Sequence, residues 1–146
     1  MNLPGRVMGI DHGSVRTGLS LSDPLGMTAQ PLAVLEPGTG KGALAEIARL
    51  ARTHEVTRFV IGLPLNMDGR EGERARGVRA FGRKLAGLTN LPVEYWDERL
   101  SSVEAERVLL EADLSRKRRK AAIDKTAAQI ILGSYLDAKA YDRSGT

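Results

Sequence analysis

Val7-Met8-Gly9-Ile10-Asp11-His12-Gly13-Ser14-Val15-Arg16-Thr17-Gly18-Leu19-Ser20-Leu21 is an apolar segment that runs into a carboxylate, turns through small and polar residues, and resumes with leucines at alternate positions. Two such runs joined by a glycine-containing turn predict a β-hairpin, with Asp11 closing its first strand. A third strand is expected over residues 28–35, between the turn Asp23-Pro24-Leu25-Gly26 and the breaker Pro37-Gly38. Three strands in succession predict an antiparallel meander.

Downstream the period changes. Leu44, Ile47, Ala48 and Ala51 recur at three- and four-residue spacing and predict an amphipathic helix over residues 41–54. Phe59-Val60-Ile61-Gly62-Leu63, closed by Pro64, has the composition of a buried parallel strand. A helix over about 73–88, a strand at 93–96, a helix opened by Ser101-Ser102 with Glu104 in its first turn, and a last helix over about 121–140 continue the alternation. The expected fold class is α/β: one domain over residues 1–146, a mixed five-stranded sheet of three antiparallel strands then strand–helix alternation, with helices on both faces.

Composition narrows the chemistry. With 146 residues and 42% hydrophobic content, the chain is long enough for one domain to bury a continuous core and too short for two domains. No apolar run approaches the roughly 20 residues that span a bilayer, and the first residues lack the zones of a signal peptide, so a cytoplasmic protein without a membrane partner is expected. The absence of cysteine excludes disulfides, thiolate nucleophiles and cysteine-ligated metals. Any metal must therefore sit on oxygen or histidine. Residues 1–69 hold 6 basic and 6 acidic side chains, whereas residues 70–146 hold 16 and 12, so the net charge of +4 resides in the second half. Its densest run is Arg116-Lys117-Arg118-Arg119-Lys120, with Arg70, Arg74, Arg76, Arg79, Arg83 and Lys84 as a second group. Such clusters suit a polyanion, although a solvated helix surface has the same composition.

In open α/β sheets, side chains at strand ends project into a crevice beside loop backbone. Three acids have that placement: Asp11 after Met8-Gly9-Ile10, Glu98 just past the Tyr95-Trp96 strand, and Asp124 near the start of the last helix. Asp124 could equally complement a helix N-terminus, and the residues alone leave these three among 18 acids. A carboxylate following an apolar strand needs a counter-charge, which a divalent cation supplies. Hard cations such as Mg²⁺ or Mn²⁺ favour oxygen clusters and leave positions for phosphate and water, the chemistry of phosphodiester hydrolysis.

Four blocks, in order along nearly the whole chain, resemble the YqgF family: Gly9-Ile10-Asp11-His12-Gly13-Ser14-Val15-Arg16-Thr17-Gly18, Ile61-Gly62-Leu63-Pro64-Leu65-Asn66-Met67-Asp68-Gly69, Asp97-Glu98-Arg99-Leu100-Ser101-Ser102, and Asp124-Lys125-Thr126-Ala127-Ala128-Gln129-Ile130-Ile131-Leu132 before Tyr135-Leu136. That family is RNase H-like and similar to bacterial Holliday-junction resolvases; its members are described as nucleases maturing the 5′ end of 16S ribosomal RNA, some as junction resolvases. The resemblance implies that Asp11, Glu98 and Asp124 are catalytic acids holding Mg²⁺ or Mn²⁺, and that the partner is pre-16S rRNA or branched DNA. His12 departs from the family pattern and is read as a turn residue bonding nearby backbone, rather than as a ligand or proton carrier.

Other residues follow from the physics of such a site. Arg16 in the turn beside Asp11 either holds a phosphate bidentately or is an exposed residue of an ordinary hairpin turn, and Arg99 beside Glu98 is either a phosphate contact or a charge partner that keeps Glu98 ionised. Asn66 lies in a loop on the expected active edge, where it contacts substrate or simply makes a turn. Arg116, Lys117, Arg118, Arg119 and Lys120 are expected to bind substrate just before Asp124. Trp96 is read as core. Two other functions share these features: a phosphate-binding module like the first loop of actin and sugar kinases, and a nucleic-acid-binding protein without catalysis. Three matched acids oppose the latter, because bare carboxylates repel phosphate unless a metal intervenes. A resolvase cutting two symmetric strands calls for a homodimer.

Overall fold

The computed structural model describes residues 5–103 and 126–144. The expected meander forms from β1 (Arg6–His12), β2 (Thr17–Ser22) and β3 (Ala29–Leu35), followed by α1 (Gly40–Thr53), β4 (Val56–Leu63), α2 (Glu73–Thr89), β5 (Val93–Asp97), a single 3₁₀ turn (Glu98–Leu100) and α3 (Ala127–Ser144). Strand order is β3-β2-β1-β4-β5. β1 pairs antiparallel with β2, with Asp11 opposite Gly18, and parallel with β4, with Ile10 beside Ile61. β4 pairs parallel with β5, with Gly62 beside Trp96.

Successive side chains of a strand point to opposite faces, and here the two faces carry separate cores. Met8 and Ile10 of β1 join Phe59 and Ile61 of β4 against Ile47 of α1 and Leu85 of α2. Val7 and Val60 face the other way and pack on Ile131, Leu132, Tyr135 and Leu136 of α3. Because both faces of β4 are covered, its apolar run is nearly continuous. Each fully buried Ile, Leu or Phe in these layers is worth roughly 1.5–3 kcal/mol over leaving it exposed.

The last helix differs from its predicted extent. It begins at Ala127, because Thr126 and Gln129 form a reciprocal cap: the Gln129 backbone N–H donates to Thr126 Oγ1 at 3.1 Å, and the Thr126 N–H to Gln129 Oε1 at 3.4 Å. The buried Ser20 hydroxyl donates to the Ala128 carbonyl at 2.8 Å, and Gln129 Nε2 donates to the Ala29 carbonyl at 3.0 Å. These bonds hold the first turn of α3 over β2 and β3. The helix predicted after Ser101-Ser102 beyond residue 103, the basic run from Arg116 to Lys120, and Asp124 lie outside the described residues. Among the described residues, no helix is long and apolar enough to cross a membrane.

Candidate active site

β1, β4 and β5 run parallel and end at the same edge of the sheet. There Asp11 is the penultimate residue of β1, and Glu98 follows β5 directly. The glycines of this region report which face their neighbours occupy. A Cβ on Gly9 would meet Leu132 and the Ala128 carbonyl of α3, and one on Gly18 would meet Ala128 Cβ. Asp11 is two residues from Gly9 and opposite Gly18, so alternation places it on the same α3 face.

Glu98 reaches that face from the other side. It is only 3% exposed, and a Cβ on Gly62 would lie 2.9 Å from its Oε1 and 2.5 Å from Ile131 Cδ1. Gly62 follows the residue paired with Ile10, and so sits between the end of β1 and β5. The missing side chain at Gly62 is therefore what lets the Glu98 carboxylate lie over the sheet beside Asp11. Sequence reasoning misses this part of the acidic site, although an isolated glycine inside the Phe59-Val60-Ile61-Gly62-Leu63 strand is the signal for such a close approach.

Asp11 and Glu98 thus share one strand edge and one face, with the N-terminal turn of α3 above them. Among the described residues, no group of three metal-ligating side chains is present. The two carboxylates nonetheless suit a hard divalent cation: they are oxygen-only donors, one half-buried and one almost fully dry, with no thiolate anywhere in the chain.

The remaining predicted residues divide. Arg16 sits in the β1–β2 turn, exposed, 3.7 Å from Glu36. That turn is closely built: a Cβ on Gly13 would lie 2.5 Å from the Arg16 carbonyl, while the Gly38 N–H donates to the Val15 carbonyl at 2.9 Å. Asn66 is exposed in a small hairpin after β4, where its N–H donates to the Arg70 carbonyl. Arg99 grips Asp97, with Nε 3.0 Å from Oδ2 and Nη2 2.7 Å from the same oxygen. This hydrogen bonding lowers the Asp97 carboxyl pKa and raises that of Arg99. Trp96 is half-buried against the α3 core, its indole N–H donating to Ser134 Oγ at 3.0 Å.

His12 points to the opposite face from Asp11. Its ring stacks on Phe81 of α2 at 3.9 Å between centroids, and Nδ1 lies 3.1 Å from Thr17 Oγ1. Burial lowers its pKa below the ordinary 6.5, opposed by the nearby charge of Asp11. In place of the predicted bond to turn backbone, the ring bonds the buried Thr17 hydroxyl.

Comparison with known proteins gives the family and the fold. The family model RuvX, described as Holliday junction resolvase, matches residues 5–138. A protein of Symbiobacterium thermophilum named "Putative pre-16S rRNA nuclease" is 53% identical over 135 residues, covering 92% of this chain and 94% of the relative. One of the same name from Myxococcus xanthus is 52% identical over 133 residues, covering 91% and 88%. Among solved structures, T. thermophilus RuvC in complex with Holliday junction substrate superposes with a TM-score of 0.55 at 20% identity, covering 97% of each chain. The likeness identifies the sheet and its helices as an RNase H-like fold.

Proposed function

This chain belongs to the RuvX family of Holliday junction resolvases and is a hydrolytic nuclease, and from that premise we propose that it cuts structured nucleic acid with Asp11, Glu98 and Asp124 as metal-holding catalytic acids. The observation that carries the reading is the meeting of Asp11 and Glu98 on one face of one strand edge, made possible by Gly62. Asp124 precedes the Thr126 cap of α3, whose first turn lies over that face.

The carboxylates would hold Mg²⁺ or Mn²⁺. When bound, such a cation neutralises phosphate charge and makes a water nucleophilic near neutral pH. Asp11, half-buried, offers its oxygens at the mouth of the site, while Glu98 is walled in by Gly62 and Ile131 and offers oxygens in a dry, fixed position. Arg99, fixed by Asp97, orients phosphate oxygens beside them, and Arg16 in the β1–β2 turn takes a neighbouring phosphate of the same strand. Asn66 borders the same edge, and Arg116 to Lys120 neutralise the flanking strand.

Two substrates suit the site: the names of the relatives favour pre-16S rRNA, for which the reading is maturation of the 5′ end in the cytoplasm, and the Holliday-junction family favours a four-way junction, which would call for a homodimer. The test is cleavage of matched precursor-RNA and four-way-junction substrates by purified protein and by Asp11→Asn. That substitution keeps the volume and removes the charge, so product should vanish while the thermal melt is retained. Undiminished cleavage by Asp11→Asn would overturn the assignment.

A further inference from the structure

On the other side of the strand end from the acids lies a second, unassigned feature. A cleft of about 640 Å³ opens between the β1–β2 turn and α2, lined by His12, Ser14, Arg16, Thr39, Arg74 and Val78 among others. We propose that it is a ribonucleotide subsite, in which Arg16 and Arg74 take a phosphate and His12 Nε2 takes a ribose 2′-hydroxyl. The inference rests on the nuclease reading and deepens it by naming the sugar.

The cleft is cationic. Among the described residues, Arg74 makes no ion pair and Arg16 has only Glu36 at 3.7 Å, the side chains of that pair being about two-thirds exposed. An exposed pair at that distance is readily exchanged for phosphate, which accepts from a guanidinium bidentately. No acidic side chain among the described residues lines the cleft.

His12 supplies the discriminating atom. The Thr17 hydroxyl has one proton, and it donates to the Gly38 carbonyl at 2.7 Å. At the 3.1 Å contact with His12, Thr17 Oγ1 must therefore accept, which makes Nδ1 the donor and leaves Nε2 as the ring's uncommitted nitrogen. The Phe81 stack and the Thr17 bond hold the ring in place before any ligand arrives. A hydroxyl both donates and accepts, so it bonds Nε2 in either protonation state. In a nucleic acid, the 2′-hydroxyl is the donor-acceptor group beside each phosphate, and only RNA has it.

Position links the cleft to the acids. Asp11 and His12 are consecutive and face opposite sides of the sheet at the same strand end. A strand laid across the end of β1 thus offers one phosphate to the carboxylates and the adjoining nucleotide to the cleft.

The test reads binding without turnover. Affinity of the full chain, in chelator, is measured by fluorescence anisotropy for a short RNA, its DNA counterpart, and RNAs with a single 2′-deoxy residue moved along the strand. For wild type, one position should show a penalty of about fivefold, the worth of one net hydrogen bond. His12→Phe, which keeps a ring on Phe81, should erase that penalty. So should His12→Asn, which keeps a donor near Nδ1 and guards against misfolding of the first variant. Arg74→Ala should weaken every strand while preserving the penalty. The subsite is refuted if wild type shows no such position, if the penalty survives in a folded His12 variant, or if Arg74→Ala binds as wild type does. Absence of cleavage would count against the nuclease reading alone, because none of these affinities depends on hydrolysis.

Discussion

Gly62→Ala tests whether a single absent methyl group positions the acidic site. The added Cβ would stand 2.5 Å from Ile131 Cδ1 and 2.9 Å from Glu98 Oε1, both inside van der Waals contact. Neither neighbour can step aside freely, since Ile131 is fully buried and Glu98 is 3% exposed. Overpacking of this kind costs about 1–3 kcal/mol, and for a chain of this size each kcal/mol lowers Tm by about 2–4 °C, so a fall of about 2–12 °C is expected. Displacement of Glu98 should also remove most cleavage, well beyond what the reduced stability explains. The second effect separates from the first in the double variant with Ile131→Val. Deleting Cδ1 relieves the closer clash and should recover part of the melting temperature, but the clash with Glu98 remains and cleavage should stay low. Thermal denaturation alongside single-turnover cleavage reads both quantities. A Gly62→Ala protein as stable and as active as wild type would refute the reasoning.

Arg118→Ala with Arg119→Ala should weaken nucleic-acid binding and flatten its salt dependence, by about one unit of slope for each phosphate that is no longer neutralised. A salt titration of affinity checks this, and an unchanged slope would assign the run to solvated surface. Folding stability should depend on pH through His12. Burial lowers its pKa, with Asp11 opposing, so the unfolded chain takes up the proton first. The stability is complete above about pH 6.5, the ordinary value, and declines as pH falls through the lowered folded value. His12→Phe should reduce that decline in denaturant titrations, and an identical pH profile in the two proteins would contradict it.

Alternation around Asp11 makes the meander legible, and the shift to three- and four-residue spacing at Leu44, Ile47, Ala48 and Ala51 locates α1. Both signals arise from one buried face, which sequence periodicity records directly. The placement of Asp11 and Glu98 at strand ends is legible for the same reason. What brings them together is not: the approach of Gly62 to Glu98 joins residues far apart in the chain, and glycine leaves no pattern of its own. The start of α3 departs from expectation because Ala121 and Ala122 extend the helical composition, while the Thr126–Gln129 cap that begins the helix is a local bond rather than a period. Arg99 stands next to Glu98 in sequence, yet its guanidinium lies on Asp97, an equally near acid that spacing could not favour. His12 and Arg74 reach one cleft only through the packing of α2 against the sheet.

The central claim, hydrolysis by metal-holding carboxylates, is tested most directly with a metal-stripped sample offered precursor RNA and junction DNA, then given each ion in turn. The account predicts no cleavage in chelator, recovery with Mg²⁺ or Mn²⁺, and binding with little turnover in Ca²⁺, whose about 6–8 oxygen ligands and looser geometry hold water and leaving group poorly in line. Robust cleavage in excess chelator would contradict it.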